Sequence, residues 1–138
     1  MRDVYVISSC RTAVGTFGGS LRDVPAADLG ATVIKEALSR AGVKPEQVDE
    51  VMFGCILTAA QGQNVARQAS IKAGIPYSVP AYTVGMVCGS GMKSVIEAAR
   101  ADAQALLEVD PNLEEPDHVA LAREVRLAFA HESAIVGG

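Results

Sequence analysis

The stretch from residue 79 to residue 100 constrains the fold of this chain more than any other. Residues 79–87 are β-prone and mostly apolar, which indicates a strand. The turn sequence Cys88-Gly-Ser-Gly91 then interrupts the apolar run, and helix-favouring residues follow over positions 92–100. The pattern predicts a strand, a tight turn and a helix, with Cys88 in the turn.

Cys88 lies beside the predicted N-terminus of this helix. The partial positive charge of a helix N-terminus favours a thiolate over a thiol. The flanking Gly89 and Gly91 let the backbone come close to a substrate carbonyl, which suits a nucleophile whose neighbouring amides stabilise an oxyanion. A cysteine in an apolar run is also often a small buried core residue. The residues alone leave both interpretations open.

Composition limits the class of protein. Hydrophobic residues make up 49% of the 138 residues and charged residues 20%, which predicts a globular domain with a workable core. The formal net charge of −4 gives no electrostatic basis for binding nucleic acid or an anionic membrane. No apolar run approaches the ~20 residues of a membrane span, and the N-terminus has no apolar signal-peptide core. We therefore expect a cytoplasmic protein.

Strand and helix patterns alternate before residue 79. Apolar runs predict two strands, over residues 4–8 and 51–57, and helical patterns predict two helices, over residues 28–41 and 61–73. This alternation predicts an α/β fold with a partly parallel sheet and helices on its faces.

Three details of these elements are predicted as well. The helix over residues 28–41 would bury the face that carries Leu29, Val33, Ala37 and Ala41, and Gly42 would end it. The other two cysteines, Cys10 and Cys55, are expected to be structural and reduced, because neither precedes a helix start. Three cysteines without metal-site spacing predict no metal site.

Three segments carry a resemblance to a known family. Met86-Val-Cys-Gly-Ser-Gly-Met-Lys93 resembles the nucleophile segment of the thiolases, the acetyl-CoA acetyltransferase family. Arg11-Thr-Ala-Val-Gly-Thr-Phe-Gly-Gly19 is similar to their N-terminal turn, and Gly62-Gln-Asn-Val-Ala-Arg-Gln68 with Ala73-Gly-Ile-Pro76 is similar to their second helix and its turn. The resemblance covers residues 1–100 and implies a thiolase-like N-terminal half, a layered α/β domain with a mixed, partly parallel sheet.

Residues 101–138 form a C-terminal segment in which no family is recognised. Their composition predicts an extension of the preceding helix, an acidic proline-containing loop over residues 108–117, a short helix over residues 118–126 and a strand within residues 125–136.

The resemblance also implies a chemistry. Cys88 would accept an acyl group from an acyl-CoA thioester, with its backbone N–H in an oxyanion hole, and Gly89, Ser90 and Gly91 would bind substrate. Condensation with a second acetyl-CoA would give acetoacetyl-CoA, and the reverse reaction would cleave 3-ketoacyl-CoA. Coenzyme A is then part of the substrate, and no separate cofactor is expected. Thiolases further imply a homo-oligomer, or a second thiolase half that completes this one.

Two catalytic groups of thiolases are not matched. Their nucleophile is activated by a histidine in a Gly-His-Pro motif, and a second cysteine in the C-terminal half moves the α-proton. His118 and His131 lie in other sequence contexts. The alternative is therefore a truncated, catalytically incomplete thiolase half that acts only as a folded or partner-dependent module. A base beside Cys88 and a cavity for a pantetheine arm would distinguish the two.

Overall fold

The computed structural model describes residues 4–105 and 125–131. It contains three strands, β1 (Val48–Cys55), β2 (Ala81–Val84) and β3 (Val125–His131). Three α-helices accompany them, α1 (Ala26–Ala41), α2 (Val65–Ala73) and α3 (Ser90–Ala105), together with 3-10 turns over Pro45–Gln47 and Val87–Gly89. The predicted α/β class is confirmed.

The strands form one parallel sheet in the order β2-β1-β3. Strand β1 pairs with β2 from Val51↔Ala81 onward and with β3 as far as Cys55↔His131. Parallel neighbours need a crossover connection, and α2 supplies it between β1 and β2. The central position of β1 explains why five consecutive residues, 51–55, are buried in it.

The two faces of β1 meet different helices. A Cβ built on Gly30 of α1 would lie 2.7 Å from the ring of Phe53 and 2.9 Å from Ala69 of α2. A Cβ built on Gly54 would lie 2.5 Å from the backbone of Ser90 at the start of α3. Successive strand residues point to opposite faces, so α1 and α2 cover the Phe53 face and α3 begins against the Gly54 face.

Helix α1 begins two residues before the predicted start and ends at the predicted Gly42. Gly42 has a left-handed φ of 66° and its N–H reaches the carbonyls of Leu38 and Ser39. The predicted buried face is only partly right, because Ala37 is buried whereas Leu29, Val33 and Ala41 are half-buried. The buried residues are Ala26, Ala27, Gly30, Ala31, Ile34, Ala37 and Leu38. The close approach of Gly30 to the Phe53 ring places this face, which is mostly alanine and glycine, against β1.

Helix α2 is four residues shorter than predicted at its N-terminus. Asn64 is its N-cap, with a left-handed φ of 47° and a side-chain oxygen that accepts from the Arg67 N–H at 3.1 Å. Residues 61–63 precede this cap and therefore lie outside the helix. Gly74 ends the helix in the left-handed conformation.

The predicted opening strand over residues 4–8 is wrong. Residues 4–8 belong to no strand, and the apolar side chains of Val4, Tyr5, Val6 and Ile7 are 47% to 83% exposed. Both edges of β1 are already paired, to β2 and to β3, so this segment does not join the central strand.

The C-terminal predictions have mixed outcomes. The predicted extension of α3 is confirmed as far as Ala105, and the predicted strand is confirmed over Val125–His131. Val125 and Arg126 fall in both the predicted short helix and the predicted strand, and they lie in β3 because they pair with β1. The rest of that helix and the acidic loop over residues 108–117 lie outside the described residues. The division of the chain at residue 100 stays a prediction. No helix in the described ranges is long and apolar enough to cross a bilayer.

Candidate active site

The predicted order of strand, turn and helix around Cys88 is confirmed. Strand β2 ends at Val84, a 3-10 turn covers Val87–Gly89, and α3 begins at Ser90. Cys88 lies in this turn and is exposed to solvent. The strand is shorter than the predicted residues 79–87 because the backbone from Met86 onward makes turn hydrogen bonds, including Gly89 N–H to the Met86 carbonyl at 2.9 Å.

The residue before Cys88 has an unusual backbone conformation. Val87 has a φ of +44°, in the left-handed region that β-branched residues rarely adopt. Its side chain is 64% exposed, so tight side-chain packing does not impose this conformation. Such outliers persist where surrounding hydrogen bonds hold them, and they concentrate at functional sites.

Ser90 supplies several of these hydrogen bonds. Its side chain is buried, with 1% of the residue exposed. The hydroxyl accepts the Met86 N–H at 2.8 Å and donates to the Val87 carbonyl at 2.7 Å, with the Cys55 carbonyl at 3.4 Å. The hydroxyl is therefore engaged with backbone groups. The predicted substrate contacts of Gly89, Ser90 and Gly91 stay predictions.

Gly54 fixes where the turn lies relative to the sheet. A Cβ on Gly54 would lie 2.5 Å from the Ser90 carbonyl carbon and 2.6 Å from the Gly91 nitrogen. Only a residue without a side chain lets the N-terminus of α3 approach β1 this closely. The turn that carries Cys88 is thereby held at the carboxyl end of β1.

The three cysteines differ in accessibility. Cys55 is fully buried in β1 and its thiol donates to the Leu57 carbonyl at 3.3 Å, which confirms its assignment as a core residue. Cys10 is half-buried and its thiol donates to the Val33 carbonyl at 3.2 Å. Cys88 is the exposed thiol of the three.

The structure brings no predicted base to Cys88. Within the described ranges, no side chain is hydrogen-bonded to the Cys88 thiol. His131 lies in β3 opposite Cys55, and His118 lies outside the described residues. The nearest lysine along the chain, Lys93, forms an ion pair with Glu97 on α3.

Two surface grooves lie near Cys10 and α1. Two open grooves of ≈ 490 and ≈ 630 Å³ adjoin Cys10, Arg11 and Thr12 near α1, and Cys88 lines neither of them. In the part of the chain that the structure describes, no cluster of histidine, cysteine, aspartate or glutamate side chains could hold a metal ion.

Polar contacts that attach the start of α2 to β2 and to the segment just before β2 were not predicted from the sequence. The Asn64 amide donates to the Ala81 carbonyl at 2.9 Å, and its oxygen accepts from the Thr83 hydroxyl at 3.1 Å. Arg67 donates to the Val79 carbonyl at 2.8 Å. The asparagine that precedes Val65 is a recognisable N-cap signal, whereas its bonds to β2 join residues 17 and 19 positions apart and have no local signature.

Comparison with known proteins identifies a family for most of the chain. Residues 4–106 match the family model for the thiolase N-terminal domain. The chain is 64% identical over 101 residues to an acetyl-CoA acetyltransferase of Cupriavidus necator, an alignment that covers 73% of this chain and 26% of that protein. It is 59% identical over 100 residues to a cytosolic acetyl-CoA acetyltransferase of Rattus norvegicus, over 72% of this chain and 25% of that protein.

A third relative is shorter. An acetyl-CoA acetyltransferase of Clostridioides difficile is 51% identical over 94 residues, which covers 68% of this chain and 88% of that protein. The chain spans about a quarter of the length of the Cupriavidus and rat relatives. The family match covers most of the chain and includes the whole strand, turn and helix around Cys88. The chain therefore belongs to the thiolase family, through that family's N-terminal domain.

Proposed function

We propose that this chain carries out the acyl-accepting half of a thiolase-type acyl transfer, with Cys88 as the nucleophile. The observation that carries the proposal is the position of Cys88, which is exposed in the turn between β2 and α3, two residues before α3 begins. The N-terminus of α3, where backbone N–H groups lack intrahelical acceptors, lies next to this turn. Cys10 and Cys55 lie in no such turn.

The first chemical step is acylation. The Cys88 thiolate attacks the thioester carbonyl of an acyl-CoA, and the carbonyl oxygen becomes an oxyanion. The bond from the acyl carbon to the coenzyme A sulfur then breaks, the acyl-cysteine remains, and the coenzyme A thiolate takes a proton from solvent. The Cys88 N–H is the proposed oxyanion donor, and losing one such donor typically costs about 10²–10³ in rate.

Condensation is the second step of thiolase chemistry. The α-carbanion of a second acetyl-CoA attacks the acyl carbon, a carbon–carbon bond forms, and Cys88 leaves as a thiolate with acetoacetyl-CoA as product. Thiolysis of 3-ketoacyl-CoA is the same path reversed. This step needs a group that removes the α-proton, positioned within about 2.6–3.2 Å of it or through one water. We propose that the chain by itself stops at the acyl-cysteine, since its sequence contains neither the Gly-His-Pro histidine nor a recognisable second catalytic cysteine.

A partner-dependent module is the second candidate. Five apolar residues of the Cys88 turn and α3 are 41% to 74% exposed: Met86, Val87, Met92, Val95 and Ile96. Several exposed apolar residues on one turn and its following helix favour an interaction site. We propose that a second copy of the chain or another thiolase half covers this surface. The proposed location is the cytoplasm, because the rat relative is described as cytosolic.

Acetylation of the purified chain tests the proposed nucleophile. The protein is incubated with acetyl-CoA, and intact mass followed by peptide mapping should find one acetyl group on Cys88. The adduct should disappear in Cys88→Ala and persist in Cys10→Ala, the matched control for loss of a solvent-accessible thiol. Absence of acetylation on the wild-type chain, or its persistence in Cys88→Ala, would contradict the assignment.

Two further measurements test the remaining parts of the proposal. Acetoacetyl-CoA formed by the isolated chain and lost in Cys88→Ala would show that it does not stop at the acyl-cysteine. Light scattering across micromolar concentrations should show self-association, or complex formation when a separate thiolase C-terminal half is added. A chain that stays monomeric alone and forms no complex with the added half would contradict the partner-dependent module.

A further inference from the structure

We propose that Ser90 is a positioning residue that holds the Cys88 turn in its strained conformation and thereby aims the Cys88 N–H. This inference rests on the proposed role of Cys88 as the acyl-accepting nucleophile. Ser90 acts on the site through the backbone of the turn, which its buried hydroxyl contacts.

The peptide group between Val87 and Cys88 sets the direction of the proposed oxyanion donor. This group is planar and trans, so its carbonyl and its N–H point in opposite directions. The carbonyl belongs to Val87 and the N–H to Cys88, the proposed oxyanion donor. Whatever fixes the Val87 carbonyl therefore fixes the direction of the Cys88 N–H.

Two donors from one residue converge on that carbonyl. The Ser90 backbone N–H and the Ser90 hydroxyl both donate to the Val87 oxygen, the hydroxyl at 2.7 Å. The same hydroxyl accepts the Met86 N–H at 2.8 Å, so a single oxygen links the backbone on both sides of Val87. A hydroxyl can do both at once, because it has one donor hydrogen and two acceptor lone pairs.

These hydrogen bonds oppose relaxation of the Val87 backbone. A φ of +44° is unfavourable for a β-branched residue, and Val87 without external restraint would relax toward negative φ. That relaxation would rotate the adjoining peptide group and turn the Cys88 N–H away from its present direction. Glycine adopts positive φ at little cost, so a glycine at position 87 would need less restraint from Ser90.

The experiment compares two reactions of the same thiol. Alkylation by iodoacetamide requires an accessible thiolate but forms no oxyanion, whereas acetylation by p-nitrophenyl acetate passes through an oxyanion that needs an aligned donor. In Ser90→Ala the ratio of acetylation to alkylation at Cys88 should fall about tenfold or more, because misaligned donors lose part of the 10²–10³ that such groups contribute. Cys10 in the same molecules is the internal reference for both reagents.

Ser94→Ala is the matched control. Ser94 is also fully buried in α3, and its hydroxyl donates to the Gly91 carbonyl at 2.7 Å, one turn beyond the Cys88 turn. Its removal should leave the acetylation-to-alkylation ratio of Cys88 at the wild-type value. An equal fall of the ratio in Ser94→Ala would show a general effect on the helix and would overturn the inference.

A rescue variant keeps the inference testable if Ser90→Ala folds poorly. In Val87→Gly/Ser90→Ala the ratio should recover toward the value of Val87→Gly alone, because the turn no longer needs the hydroxyl to hold a positive φ. A wild-type ratio in Ser90→Ala, or a double variant that recovers nothing, would overturn the inference. Acetyl-CoA is assayed in parallel. If it fails to acetylate wild-type Cys88 while the p-nitrophenyl acetate ratio responds to Ser90, the proposed function fails and the positioning by Ser90 stands.

Discussion

Replacing Gly54 by alanine should destabilise the protein and displace the turn that carries Cys88. The added Cβ would lie 2.5 to 2.6 Å from backbone atoms of Ser90 and Gly91. Backbone atoms cannot move aside by changing a rotamer, so β1 and the N-terminus of α3 must separate. The substitution therefore reports directly on the close approach that places Cys88 at the end of β1.

The magnitude follows from two opposing effects. Overpacking of a well-packed site typically costs about 1–3 kcal/mol. Replacing glycine by alanine within a strand returns roughly 0.5–1 kcal/mol, because the unfolded chain loses conformational freedom. Because the clash is with backbone atoms, the cost lies toward the upper end of that range, and the net loss in the free energy of unfolding should be about 1–2 kcal/mol, or roughly 4–8 °C in Tm for a chain of this length.

Thermal denaturation and Cys88 alkylation are the assays, and Gly85→Ala is the control. Gly85 lies between β2 and the turn, has no positive φ, and a Cβ there would meet nothing within 4 Å. Gly85→Ala should therefore change the free energy of unfolding by less than about 0.5 kcal/mol. A Gly54→Ala protein with wild-type Tm and a wild-type alkylation rate at Cys88 would refute the reasoning.

Three further predictions concern cysteine accessibility, an ion pair and a helix cap. At neutral pH a thiol reagent should label exposed Cys88 faster than half-buried Cys10, and Cys55 only on unfolding; faster labelling of Cys10 would reverse the ranking. The hydrogen bond from Lys93 lowers the pKa of Glu97 from its ordinary value of 4.5. Glu97→Gln should therefore reduce Tm above pH 4.5, and this difference in Tm should vanish as the pH falls through the lowered pKa. A Tm difference that grows in acid would contradict this prediction. Asn64→Ala should cost about 1–2 kcal/mol and Asn64→Gly less, because glycine tolerates the φ of 47° at this N-cap; equal losses in the two denaturation curves would show that backbone strain plays no part.

Local sequence was sufficient for the arrangement around Cys88. The order of strand, turn and helix, the end of α1 at Gly42 and the burial of Cys55 depend on neighbouring residues and on hydrophobic pattern, and the structure confirms all three. These features have local causes: glycine permits left-handed φ, and an apolar run excludes water. The motifs around Cys88 also carried the resemblance to thiolases, which the family match bears out.

Contacts between distant segments decided the rest. The segment at residues 4–8 is as apolar as a core strand, yet it belongs to no strand, and β2 and β3 occupy both edges of β1. The buried face of α1 is set by the contact of Gly30 with Phe53 and Ala69, more than twenty residues away, and not by the position of the larger Leu29 and Val33.

The same division applies within the candidate site. The sequence by itself determined that a cysteine lies in a glycine-containing turn before a helix, because turn and helix preferences act over a few residues. Only the tertiary structure decided that Ser90 is buried, that its hydroxyl holds the strained Val87, and that Gly54 admits the helix against β1. The approach of α3 to β1 is set by packing of the whole domain, and it buries the Ser90 hydroxyl beside the Cys55 carbonyl, 3.4 Å away.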